Sequence, residues 1–144
     1  MDTFALQKAL FARLSPDPDL IALGVAVYDV APQGADGNAE AAFPYLLIGE
    51  MDVRDAGTQS SDLFDVMIRL HSFSASGAFS DTRAIQLRAF NLLHRKTFAV
   101  EGHHLIMCRR NISSIDRDPD GIVHGVCDYR VLVEAGYAPR LITD

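Results

Sequence analysis

Apolar residues recur along this chain with two different periods, and the switches between them mark out the elements. Leu6, Leu10 and Leu14 stand at i, i+4 and i+8 with Phe11 beside them, a spacing that predicts an amphipathic helix capped by Thr3 and stopped at Ser15-Pro16. Asp17-Pro18-Asp19 predicts an N-cap followed by proline at the first helical position, opening a short turn over residues 20–23 that Gly24 closes. Ile85, Ala89, Leu92 and Leu93 form the apolar face of a second main helix, capped by Ser80 and running to about Arg95. Strand signals fill the rest. Residues 25–30 and 97–100 are short β-rich runs, 45–51 is apolar on both faces except for Glu50, and 63–73 alternates with Phe64, Val66, Ile68 and Leu70 on one side and Asp65, Arg69 and His71 on the other. Residues 31–43 and 54–61 lack any period and are expected as loops, and 135–144 as a surface arm.

The longest consistent pattern is 103–134, two alternating arms around Asp118-Pro119-Asp120-Gly121. Proline presets φ in this turn, aspartate bonds its own backbone, and glycine accepts positive φ. Pairing Arg117 with Ile122 and counting outward places Ile106, Cys108, Arg110, Ile112 and Ser114 opposite Val133, Val131, Tyr129, Cys127 and Gly125. A slip of one residue would turn apolar side chains to the wrong face, so the cysteine and valine side is expected to meet the core. Helix, strands, helix and strands give an α+β fold: a mainly antiparallel sheet with two main helices packed on one face. The length suits one domain over residues 1–144, able to bury about two thirds of its unfolded surface without a metal or disulfide staple.

Charge and composition narrow the function. A net charge of −6 argues against a protein that grips nucleic acid by its phosphates. Adjacent Arg109 and Arg110 point to opposite faces of a strand and make no stripe. No apolar run approaches the ~18 residues of a membrane span, and the N-terminus has no signal-peptide pattern, so synthesis in the cytoplasm is expected. Cys108 and Cys127 lie four positions apart along the paired arms, about 13 Å and too far for a disulfide, which predicts two free, buried thiols.

Asp116, Asp118 and Asp120 precede Gly121 as in a calcium loop, but the twelfth position is Cys127 instead of the bidentate glutamate, and the flanks are strands. The five histidines, His71, His94, His103, His104 and His124, show no zinc-ligand spacing. Nucleophile elbows and phosphate-cradling glycine loops are absent from the sequence, and no cofactor is implied. Two classes of function stay open on the residues alone: a structural or assembly protein, and a small metal- or ligand-binding module using the Asp116/Asp118/Asp120 turn or nearby histidines.

Four segments taken in order, FALQKALFARL with VAVYDVAPQG, FPYLLIGE, DVMIRLHSFS and RDPDGIVHGVCDYRVLVE, resemble the tail-completion, or tail-terminator, proteins of long-tailed phages and gene transfer agents. The resemblance implies a non-enzymatic subunit of a six-fold ring that caps the tail tube and joins it to the neck of the capsid. It implies as partners other copies of the chain, the major tail tube protein and the neck connector or stopper protein, and a final location at the tail-neck junction. DNA would pass through such a ring without specific binding, helped by an acidic lining. The two polar loops, 31–43 and 54–61, are the candidate assembly contacts, the second through Arg54, Asp55, Gly57, Thr58, Gln59 and Ser60, and the long hairpin is expected to extend the sheet toward a neighbouring subunit.

Overall fold

A computed structural model describes residues 1, 3–29 and 43–136. Its elements are α1 (Thr3–Leu14), α2 (Pro18–Ala22), β1 (Ala26–Tyr28), β2 (Tyr45–Asp55), β3 (Leu63–Ser74), α3 (Phe79–Leu93), β4 (His103–Arg117) and β5 (Val123–Ala135). The loop expected at 31–43 lies outside the described residues except for Phe43, as does most of the 135–144 arm.

The strands form one sheet in the order β1-β2-β3-β5-β4. Three of the four pairings are antiparallel, and β1 runs parallel to β2 through Ala26↔Tyr45 and Tyr28↔Leu47.

One face of the sheet packs against the helices. Leu6, Leu10 and Leu14 of α1 and Ile85, Ala89 and Leu93 of α3 meet Val66, Ile68 and Leu70 of β3 and Tyr129, Val131 and Val133 of β5, all buried. The i, i+4 spacing places the three leucines on one stripe, whereas Phe11 stands to the side and is exposed. Short α2 packs on α3 and is capped as its sequence predicts: Asp17 accepts a hydrogen bond from Leu20 N at 3.0 Å, with Pro18 in the first turn.

Several expected boundaries move. Helix α1 begins on Thr3 itself. Ala78, not Ser80, is the N-cap of α3 and makes no side-chain cap; the Ala78 N–H is met instead by Ser76 Oγ. The helix ends at Leu93, because Arg95 turns left-handed (φ 59°) and gives its N–H to Cys108 O of β4. Only Val100 of the expected 97–100 strand is bridged, to His103. Strand β2 continues through Arg54 and Asp55, so the loop expected from 54 starts at 56.

The hairpin register holds over Met107↔Leu132 to Arg110↔Tyr129 and shifts by one on either side. Irregularities between Leu105 and Met107 and between Arg110 and Ile112 admit an extra residue each, so Arg117 pairs with Val123 and not Ile122. Leu105 takes the buried place expected for Ile106, and Ile112 lies opposite Asp128, 53% exposed, where the unshifted register buries it against Cys127. Both bulges fall on the outermost strand, where they distort an edge that would otherwise invite pairing.

The thiols are free and buried, with Ser113 opposite Cys127. Burial pushes Cys108 up to about 12 and raises Cys127 as well. A thiol-alkylating reagent at pH 8 should therefore leave both unmodified in the folded chain and modify both in denaturant, as read by intact mass. Rapid labelling under native conditions would contradict this placement.

Candidate assembly surface

Alternation along β3 sends Asp65, Met67, Arg69, His71 and Phe73 to the face away from the helices, and strand order supplies their partners from β2 and β5. Arg69 is bidentate to Asp128, Nε to Oδ1 at 2.9 Å and Nη2 to Oδ2 at 3.1 Å, and lies 3.9 Å from Glu50. Glu50 Oε1 also meets His71 Nε2 at 2.7 Å, and His71 Nδ1 meets His124 Nε2 at 2.9 Å. With Glu50 ionised, His71 Nε2 is the donor of the first contact. Arg130 clasps Asp65 with contacts down to 2.7 Å.

The electrostatics follow from these contacts. The hydrogen bond from His71 lowers Glu50, that from Arg130 lowers Asp65, and burial, assisted by His71, lowers His124. An aromatic stack, Tyr45 on Phe73 (4.7 Å) and Phe73 on His124 (4.4 Å), closes one end of the face. Gly49 leaves room for the His71 ring, since a Cβ there would stand 2.7 Å from it. The result is a polar surface on which Arg69, Arg130 and His71 are matched by Asp128, Asp65 and Glu50, and among the described residues it aligns no nucleophile on a base.

The two stretches singled out in the sequence lie at opposite ends of the sheet. At one end the hairpin turn is closed by Asp118 N to Ile122 O (2.8 Å) and Gly121 N to Asp118 O (2.9 Å), with Gly121 at φ 86°, beside Arg117, which donates to Gly77 O. Asp116, Asp118 and Asp120 are exposed there, and among the described residues no group of three His, Cys, Asp or Glu side chains could hold a metal ion.

At the other end Arg54 and Asp55 finish β2 and the chain turns back through Gly57, Thr58, Gln59 and Ser60, all exposed. This turn is built, not slack. Thr58 N donates to Ser61 O at 3.0 Å, Ser60 N donates to Thr58 Oγ1 at 3.2 Å, and Ala56 N donates to Leu63 O at 2.8 Å. Gly57 packs so tightly on the Ser61 carbonyl that any Cβ would clash with it.

A family model described as Tail completion protein gp17 matches residues 8–134, nearly the whole described chain. The chain belongs to the tail completion protein gp17 family.

The fold of this tail completion chain is also that of a solved chain from a "Virion of native gene transfer agent (GTA) particle", with a TM-score of 0.82 at 23% identity over 92% of this chain and 97% of the other. A comparison with curated proteins gives no match. As a member of this family it is a structural phage-tail protein.

Sequence reading placed Asp65, Arg69 and His71 on one side of a strand but missed what they meet. Asp128 and Arg130, on the same face of β5, alternate with opposite charge against Arg69 and Asp65, a cross-strand signal usable only once β3 and β5 are known to be neighbours.

Proposed function

We propose that this chain is the ring subunit that ends growth of a tail tube and joins the tube to the neck of a phage-like particle. The family match over residues 8–134 carries the reading, and the fold shared with a chain of a gene transfer agent virion supports it. The physical form suits the task. The helices cover one sheet face, the other face is polar and cross-linked by ion pairs, and the two ends present short, hydrogen-bonded turns. In a closed ring of six, such a subunit would meet its own copies at its sides, the major tail tube protein below and the connector or stopper protein above. A net charge of −6 per copy favours passage of DNA without specific binding. The turn containing Arg54, Asp55, Gly57, Thr58, Gln59 and Ser60 is the proposed assembly contact.

Cells producing the particle without this chain should make tails of uncontrolled length that fail to join heads, seen by electron microscopy; normal, joined tails would sink the proposal. Supplying a chain that lacks residues 57–60 should leave folding intact by circular dichroism but still impair joining. Full joining by that variant would remove the turn from the contact while leaving the ring reading in place.

A further inference from the structure

The two margins of the sheet carry opposite charge. At one margin β4 has Arg109 exposed and Arg110 beside it, and the turn after α3 adds exposed Arg95 and Lys96 against the same strand, since Arg95 N bonds Cys108 O at 2.7 Å. Between His104 and Ile115 β4 holds no carboxylate. At the other margin β1 covers β2 only from Tyr45 to Leu47. Beyond that, β2 exposes Glu50, Asp52 and Asp55; Glu50 is held by His71 and Arg69, Asp52 feels Arg69 at longer range, and the one cation of the strand, Arg54, lies near Asp65. Among the described residues Arg95, Lys96, Arg109, Asp52 and Asp55 form no ion pair. Each margin also exposes aliphatic side chains: Ile106 and Ile112 on β4 and Val53 on β2.

We propose that the β4 margin of one copy docks on the β2 margin of the next, pairing Lys96 and Arg109 with Asp52 and Asp55 around the exposed aliphatics. This rests on the ring reading above and deepens it by assigning the subunit contact. The patches are unlike, so the contact is head-to-tail, the kind that generates a ring when its rotation closes. Main-chain pairing is not the mode. His94 Nδ1 accepts from Arg110 N, Arg95 N donates to Cys108 O, and Gln86 Nε2 donates to Ser114 O, which together shield the middle of the β4 edge. Side chains make the contact instead. A second copy fits better than nucleic acid, because Asp116, Asp118 and Asp120 further along the hairpin would repel a phosphate backbone and because the complement is present on the same chain.

The test uses two variants, Lys96→Glu/Arg109→Glu, with both margins acidic, and Asp52→Lys/Asp55→Lys, with both basic. Each should fold by circular dichroism. Supplied alone in producing cells that lack the chain, each sets like charges against each other across the contact, so head-joined tails should fall by at least about tenfold. Supplied together they should restore joining, because a ring with an even number of members accepts alternating copies. Either variant working alone as well as the natural chain, or failure of the pair to rescue, overturns the margin contact. Failure of rescue accompanied by loss of DNA retention in the Lys96→Glu/Arg109→Glu variant alone would assign that margin to phosphate instead. Failure of the ring reading looks different: head-joined tails would form with no chain supplied.

Discussion

Replacing Asp17 with alanine should cost about 3 kcal/mol of folding stability, more than any surface charge on this chain, and chemical denaturation of the purified chain would measure it. Asp17 is 6% exposed and does two jobs with one carboxylate. Its Oδ2 accepts from Leu20 N as the N-cap of α2, a contact whose loss alone costs about 1 kcal/mol. Both oxygens also take the Arg88 guanidinium, at 2.7 and 2.8 Å, fastening α2 to α3 across 71 residues of sequence. Truncation removes the cap and, among the described residues, leaves Arg88 with Asp19, at 3.3 Å, as its remaining ion-pair partner. Arg88→Lys keeps the charge but loses the two-pronged geometry, and should fall between the natural chain and the alanine variant.

The same group gives a pH signature. The hydrogen bond from Arg88 holds the Asp17 carboxyl below its ordinary value against the opposing effect of burial; Arg130 lowers Asp65 and His71 lowers Glu50 in the same direction. A carboxyl depressed in the folded state stabilises the fold above its unfolded pKa, and that contribution drains away as pH falls through the folded value. Stability should therefore be flat in this respect above about pH 5 and decline below about pH 4. The decline should be shallower in Asp17→Ala, which no longer has that proton to take up. An identical acid limb in both chains would show that the Asp17 pair does not contribute to it.

The other large effect is expected at Gly125. Gly125→Val should destabilise by about 3 kcal/mol, at the upper end of overpacking costs, and lower the melting temperature by roughly 10 °C. The reason is contact and not backbone conformation. A Cβ at 125 would stand 2.5 Å from Gln86 Nε2 and 2.6 Å from Thr82 Cγ2, so β5 meets α3 here with nothing between them. Thr82 and Gln86 are buried, and Gln86 is held by its hydrogen bond to Ser114 O, so neither side chain can swing clear. Thr82→Ala removes one obstacle together with a buried hydroxyl that has no partner among the described residues. Combined with Gly125→Val it should recover part of the loss, with a coupling above about 0.5 kcal/mol in a double-mutant cycle. Strict additivity would mean that α3 does not approach β5 in this way.

Both effects come from places where sequence pattern alone was silent or only suggestive. A glycine inside a strand signals close approach of something, yet nothing in VHGVCDY names α3 as the thing that approaches. Asp17 was legible as a cap because capping is local, while Arg88 as its partner was not. The candidate contact turn shows the same division. Its exposure was readable from composition, but the extension of β2 through Asp55 and the tight seat of Gly57 on Ser61 were not.

Local chemistry in the chain by itself determined the helices on Leu6, Leu10 and Leu14 and on Ile85, Ala89 and Leu93, the alternation of β3, the Asp118 to Gly121 turn, the burial of Cys108, Cys127, Val131 and Val133 on the hairpin and the two free thiols. Most of these depend on neighbours within a few residues or on a side-chain period, which is why they could be read from the chain, although the expected Ser80 cap and 97–100 strand show that tertiary context can override such signals. Only the tertiary structure decided the parallel placement of β1, the two bulges that send Ile106 and Ile112 outward, and the network joining Glu50, Arg69, His71, His124 and Asp128. It also decided that the cations of the α3 turn and β4 share one margin while Asp52 and Asp55 of β2 stand on the other. Those features depend on which strands become neighbours, and strand order is chosen by burial of the whole apolar face against α1 and α3, a sum over the chain that no single segment contains.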